Sequence, residues 1–212
     1  MPSKRDSGRW LLVSVSTAGA AASLRVHAWR RLRGLGALYL QQSVCLLPMT
    51  ETTEREIARL VSKVHRGGGQ ARCLHVQTSD ETETAALIAQ MQAAADEEYT
   101  DFLERLPEFF TELATETARG RATFTEVEES EADLSRYQTW AAKIQARDYF
   151  TSPLGDRVRA ELLRAAEALA QFEALALAQD APDHPQPTTR RIDADDAQTP
   201  DNGTSSLRAV RP

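Results

Sequence analysis

The residues of this chain best suited to chemistry are four arginines, Arg25, Arg30, Arg31 and Arg33, gathered around Trp29. A guanidinium fork matches the oxygen geometry of a phosphate, and a neighbouring aromatic ring can stack or hold such a cation. If this stretch is a helix, Arg30 and Arg33 point away from the Leu24–Leu32 face and are expected in solvent. Arg25 falls nearer the apolar edge, where it would cap sheet residues or pair with an acid. Trp29 is expected to pack into the core, as aromatics at helical spacing usually do. The cluster therefore reads either as a polyanion contact or as a solvated basic face.

Charge is divided along the chain in a way that fits either an anion-binding first part or two solvated faces of opposite sign. The formal net charge of −6 conceals 12 lysines and arginines against 5 acids up to Asp80, and 13 against 26 from Glu81 onward. A basic segment attracts polyanions while an acidic one repels them.

Catalytic and metal chemistry find less support. Cys45 and Cys73, the only cysteines, sit in apolar runs, a usage that fits small core residues in a reducing compartment. The four histidines, His27, His65, His75 and His184, show no HxxxH spacing, and there is no CxxC, so neither a structural metal nor another cofactor is expected. No G-x-S-x-G or Cys–His context singles out a nucleophile. Gly67-Gly68-Gly69 resembles a phosphate cradle, but it ends a helical pattern instead of opening one, so its amides point the wrong way for an anion.

The elements that must position these residues follow from periodicity. Residues 9–17, RWLLVSVST, read as a buried strand. Lys4, Arg5 and Arg9 before this apolar run imitate a secretory leader, but the alternating Ser14, Ser16 and Thr17 give it a strand pattern. Residues 22–35 read as a helix closed by Gly34 and Gly36. Two short strands at 37–41 and 44–47 follow, the second stopped by Pro48. Thr53 and Glu56 fit a capping box that opens a second helix, with Ile57, Leu60, Val61 and Val64 on its apolar face. A strand at 70–77 completes βαββαβ, the ferredoxin-like arrangement.

Beyond Thr78 the pattern is helical throughout. A helix over 83–105 is expected to break or restart at Pro107, which lacks an N–H and clashes with the preceding turn. Val127, Leu134, Tyr137, Ala141 and Ile144 mark one further helix. Ser152-Pro153 caps another, carrying Leu154, Val158, Leu162, Ala165, Leu169 and Phe172. The short link at 147–151 predicts that these two form an antiparallel hairpin. From residue 179 the chain has almost nothing to bury and is expected to be disordered. The Asn202-Gly203-Thr204 sequon there is a chance match. The fold class is thus α+β: a flexible N-terminus over 1–8, a ferredoxin-like domain over 9–78, a helical extension over 79–178 and a tail over 179–212. No apolar run is long enough to span a membrane.

Several ordered blocks resemble the N-terminal region of the ChrB family. They are WLLVSVST, the run Arg25-Val26-His27-Ala28-Trp29-Arg30-Arg31-Leu32, Gly36-Ala37 and Val44-Cys45-Leu46-Leu47-Pro48. Further on, Ala122–Glu131 and Ile144-Gln145-Ala146-Arg147-Asp148-Tyr149-Phe150 continue the likeness, which covers roughly residues 9–175. The resemblance implies a chromate-responsive transcriptional regulator; the cysteine usage adds the expectation of a cytoplasmic protein, and the reading adopted is one that binds DNA as a homodimer. Regulatory family members carry a C-terminal half that senses the oxyanion, whereas here a disordered tail is expected. DNA binding is then the more transferable property, with a separate sensor protein as partner in the alternative reading of a non-DNA interaction module. Arg147 offers one guanidinium to an oxyanion such as chromate, although its place between two helices points first to a docking role.

A third reading is enzymatic. Metal-dependent nucleases of ferredoxin-like fold place an acid at the end of the first strand. This chain has Ser14-Val15-Ser16-Thr17, and hydroxyls are poor ligands for a hard cation. No catalytic residue is therefore assigned.

Overall fold

The computed structural model describes residues 8–180. Nearly all of the N-terminal segment expected over 1–8 and all but the first two positions of the tail expected over 179–212 lie outside the described residues. Strand β1 (Arg9–Ser16), helix α1 (Ala22–Gly34), strands β2 (Leu38–Gln41) and β3 (Val44–Pro48), helix α2 (Glu51–Arg66) and strand β4 (Gln70–Gln77) follow in turn. The sheet order is β2-β3-β1-β4 with every neighbouring pair antiparallel. Each βα unit thus skips over a strand of the other, which is the ferredoxin-like split βαβ expected from the sequence. Among the described residues no strand follows β4.

One face of the sheet presents Leu11, Val13, Cys45, Leu47 and Ala71 to Ala28, Leu32 and Leu35 of the α1 side and to Ile57, Leu60 and Val64 of α2. The helices are closed where glycine is needed. Gly36 (φ +70°) turns the chain after α1, and Gly68 (φ +80°) supplies the left-handed residue after α2. The start of α2 departs from the sequence expectation. Its N-cap is Thr50, and the reciprocal pair is Thr50 with Thr53, at 3.1 Å from Thr53 N to the Thr50 hydroxyl and 2.9 Å from Thr50 N to the Thr53 hydroxyl. Thr53 is fully buried and its hydroxyl donates to the Pro48 carbonyl at 2.7 Å. Satisfying that strand-end carbonyl draws the helix start upstream, and Glu56 is left free for another partner.

The second face of the sheet is covered as well. Helix α3 (Glu81–Ala118), capped by Asp80 accepting from Glu83 N at 2.8 Å, lays Leu87 and Met91 against Trp10 and Leu46. It then runs on past the sheet. Together with α4 (Phe124–Gln145) and α5 (Pro153–Asp180) it forms a three-helix bundle around Phe102, Leu106, Phe109, Leu134, Ile144 and Phe172. The expected hairpin is present as α4 and α5, and α3 is its third member. No helix among the described residues is long and apolar enough to cross a membrane.

Pro107 does not break α3, contrary to expectation; it sits inside one continuous helix of 38 residues. The buried stripe explains this. Phe102 and Leu106 before the proline and Phe109 and Leu113 after it fill the same bundle core, so a break would rotate half of the stripe out of it. Four such side chains outweigh the ~3 kcal/mol that an interior proline costs a helix. Because Pro107 itself is exposed, Pro107→Ala should remove that cost without touching the core. We expect a gain of about 1–2 kcal/mol in urea denaturation, after allowance for the freer unfolded chain of the alanine variant.

Candidate nucleic-acid interface on the first helix

Leu24, Ala28 and Leu32 bury one side of α1, and the arginines distribute around what remains. Arg31 lies on the flank facing α2 and pairs with Glu56, which also holds Arg59 at 2.8 Å. The hydrogen bond from Arg31 holds the Glu56 carboxyl below its ordinary range. On the other flank Arg25, Trp29 and Arg33 recur at i, i+4 and i+8, so they form one stripe along the helix. The Arg25 Nε donates to the Thr17 hydroxyl at 3.3 Å, which is the strand-end capping role anticipated for it. The Arg33 guanidinium lies 5.1 Å from the centre of the Trp29 ring. Arg30 is exposed between these flanks. Among the described residues Arg25, Arg30 and Arg33 have no carboxylate partner.

Trp29 corrects the sequence reading. It is 49% exposed instead of packed in the core, because the i+4 step from Arg25 carries it past the buried arc of α1. It lines a groove of about 480 Å³ between α1, the end of β1 and the β2–β3 hairpin. Ala28, Leu32, Val15 and Cys45 form its apolar base, and Tyr39 stands among its walls. Burial pushes the Cys45 thiol up to about 12, so it stays neutral and is no nucleophile. Burial also raises Tyr39, with Arg33 opposing the shift. Sequence reasoning missed Tyr39; its signal was strand alternation, which puts it opposite Cys45 on the α1 side of the sheet.

Arg147 stands apart from this groove and is engaged within the chain. Its Nε donates to Glu98 of α3 at 2.8 Å, its Nη2 meets the second oxygen of Glu98, and its Nη1 donates to the Lys143 carbonyl at 2.7 Å. An oxyanion at Arg147 would compete with Glu98. Burial, then the nearby Arg33, lowers the pKa of Arg147 from its ordinary value. The neighbouring residues of the α4–α5 turn dock in the same way. Tyr149 donates to the Leu35 carbonyl at 2.8 Å, and the Phe150 ring lies 5.9 Å from that of Trp10. Gly36 admits the turn, since a Cβ there would stand 2.9 Å from the Arg147 Cβ. No group of three or more His, Cys, Asp or Glu side chains among the described residues is placed to hold a metal ion.

A family model described as "Protein ChrB, N-terminal" matches residues 25–181, a stretch that begins at Arg25 and includes the docking turn. Protein ChrB of Cupriavidus metallidurans is 27% identical over 131 residues, covering 62% of this chain and 36% of that protein. The match therefore extends over little more than a third of the relative's own length.

The docking turn has a signature in alkali. Burial pushes Tyr149 up to about 12, and burial together with Asp148, which accepts from the Tyr99 hydroxyl at 3.3 Å, does the same to Tyr99. An unfolded tyrosine ionises near ~10, so between that pH and about 12 the unfolded chain holds fewer protons than the folded one. Their contribution is complete below pH ~10 and is lost as pH rises toward 12. Thermal midpoints should fall across this window, and Tyr149→Phe should flatten the fall. The same variant should cost about 1 kcal/mol at neutral pH by losing the bond to Leu35. An unchanged alkaline slope in Tyr149→Phe would count against the assignment.

Proposed function

This chain belongs to the family of ChrB N-terminal regions, and on that premise we propose that it is a cytoplasmic regulatory protein of chromate resistance that binds DNA without catalysing a reaction on it. The observation that carries the reading is the unequal fate of the first-helix arginines. Arg31 is neutralised by Glu56, whereas Arg25, Arg30 and Arg33 face outward with no acid among the described residues to hold them. Unneutralised guanidinium groups on one side of a helix supply the sequence-independent phosphate contacts from which DNA binding is built. The acidic residues concentrate after Asp80, so a polyanion is steered to the α1 side.

A nuclease reading is disfavoured by the same corner of the fold. The end of β1 and the residue after it offer Ser14, Ser16 and Thr17, and the Thr17 hydroxyl accepts from Arg25. A divalent cation there would have a guanidinium for a neighbour and no carboxylate in that strand.

One observation favours the second reading, an interaction module for another copy of the chain or for a separate sensor protein. On the sheet face that α3 covers only in part, Leu74 is 53% exposed opposite the partly buried Leu12. An apolar sheet surface left in water is a common place for a protein partner.

Fluorescence anisotropy on DNA from upstream of the chain's own coding region separates these readings. Arg30→Ala with Arg33→Ala should weaken binding and reduce the slope of log K against log salt by up to about 0.9 for each phosphate that is no longer neutralised. Stability should change by less than about 0.5 kcal/mol, since both side chains are exposed. Arg31→Ala is the contrast and should leave the salt slope where it is. Absence of any DNA binding by the unaltered protein would favour the interaction module.

A further inference from the structure

The groove beside α1 has features that phosphate binding does not use. Phosphates need cations, and Arg30 and Arg33 would serve them from an open helix surface. Here, however, an indole 49% exposed and a phenol 36% exposed line one concavity with an apolar base. Leaving that much aromatic surface in water costs free energy that packing would recover. The polar groups stand at the margins: Arg25 with Thr17, then Gln42 and Ser43 of the hairpin. Arg25 and Arg33 are eight residues apart on one helix, which separates their backbones by about 12 Å.

We propose that this groove binds unpaired nucleotides of a single strand, with a base stacked against Trp29 and Tyr39 and the flanking phosphates on Arg25 and Arg33. The inference rests on the DNA-binding reading above and narrows it. Every base has a flat apolar face, so an aromatic surface binds it without regard to sequence, and cations alongside hold the backbone. A paired base within a duplex has both faces covered by its neighbours, so it cannot enter unless it leaves the stack. The apolar base of Ala28, Leu32, Val15 and neutral Cys45 offers no partner to a Watson–Crick edge, which suits sequence-tolerant binding. Arg33 already lies against the Trp29 ring, which holds its guanidinium beside the place where an adjacent phosphate would sit. Two cations separated along the helix, with an aromatic between them, fit a strand that continues in both directions better than a single free nucleotide.

The experiment compares a labelled single-stranded oligonucleotide, the duplex of the same sequence and a mononucleotide, by anisotropy and by intrinsic tryptophan fluorescence. The single strand should bind at least about tenfold more tightly than the duplex and should quench tryptophan emission. Trp29→Ala should lose the preference and the quenching while its thermal midpoint stays close to that of the unaltered chain. Trp29→Phe keeps a ring at the site and should retain most of the preference. Equal or tighter binding of the duplex would overturn the proposal and leave the DNA reading intact. So would quenching that persists in Trp29→Ala, because it would place the base near another tryptophan. A mononucleotide that binds as tightly as the strand would likewise overturn it. Failure to bind either strand form would remove both readings together.

Discussion

The turn between α4 and α5 is the contact on which the rest of the molecule depends. A four-stranded sheet with two helices on one face has a second face to cover; the start of α3 lies on it, and α4 and α5 need a contact of their own to be fixed there. Residues 147–152 supply the connection. Arg147 is clamped by Glu98, Tyr149 reaches the Leu35 carbonyl, and Phe150 packs toward Trp10. Ser152 donates to Asp96 and caps the first turn of α5 by accepting from Leu154 N at 3.1 Å. Four successive kinds of contact thus fix one short segment against α3, against the sheet and against the loop after α1. Thr151 takes a positive φ of 57° within it, a conformation that a β-branched residue adopts only when its surroundings enforce it.

This docking bears on the candidate site through α1. Leu35 and Gly36, which receive Tyr149 and Arg147, immediately follow the end of the helix that carries Arg33. The helix is therefore held at both ends: by the bundle's turn at one, and by the bond from Arg25 to Thr17 at the other. A stripe of side chains is useful for recognition only if the backbone beneath it keeps its place against the hairpin opposite. Tyr39 and Trp29 face a common groove because Leu32 and Leu35 share a core with Cys45 of β3, and β3 holds β2 by pairing Cys45 with Tyr39.

Electrostatics divides the molecule along the same line. The segment up to β4 carries an excess of basic side chains, while α3, α4 and α5 carry the bulk of the acids. Within the bundle those acids are partly spent on local pairs such as Arg119 and Arg121 with Glu116, or Arg164 with Glu161. What remains gives the helices a negative field that extends over a Debye length of about 8 Å at physiological salt. Such a field would turn a polyanion away from that side and toward α1, as the proposed function requires. The ferredoxin-like fold by itself carries no function, and the reading rests on this distribution of side chains together with membership of the family.

The amino-acid sequence by itself determined the βαββαβ order, the all-helical remainder and the hairpin of α4 with α5, since alternation, helical spacing, caps and glycine stops are local signals. It also determined the exposure of Arg30 and Arg33, which follows from the helical wheel. What it did not determine depends on neighbours distant along the chain. Pro107 lies inside a helix because residues of α4 and α5 hold the stripe on either side of it. The helix start moved to Thr50 because the carbonyl of Pro48 needed the Thr53 hydroxyl. Arg31 and Arg33, two residues apart, have opposite fates because only one of them faces Glu56 on α2. The groove itself, lined by both Tyr39 and Trp29, exists only once the hairpin packs beside the helix. Periodicity states which side of a helix is apolar; which of its flanks meets an acid, an aromatic ring or water is decided by where tertiary packing sets the next element.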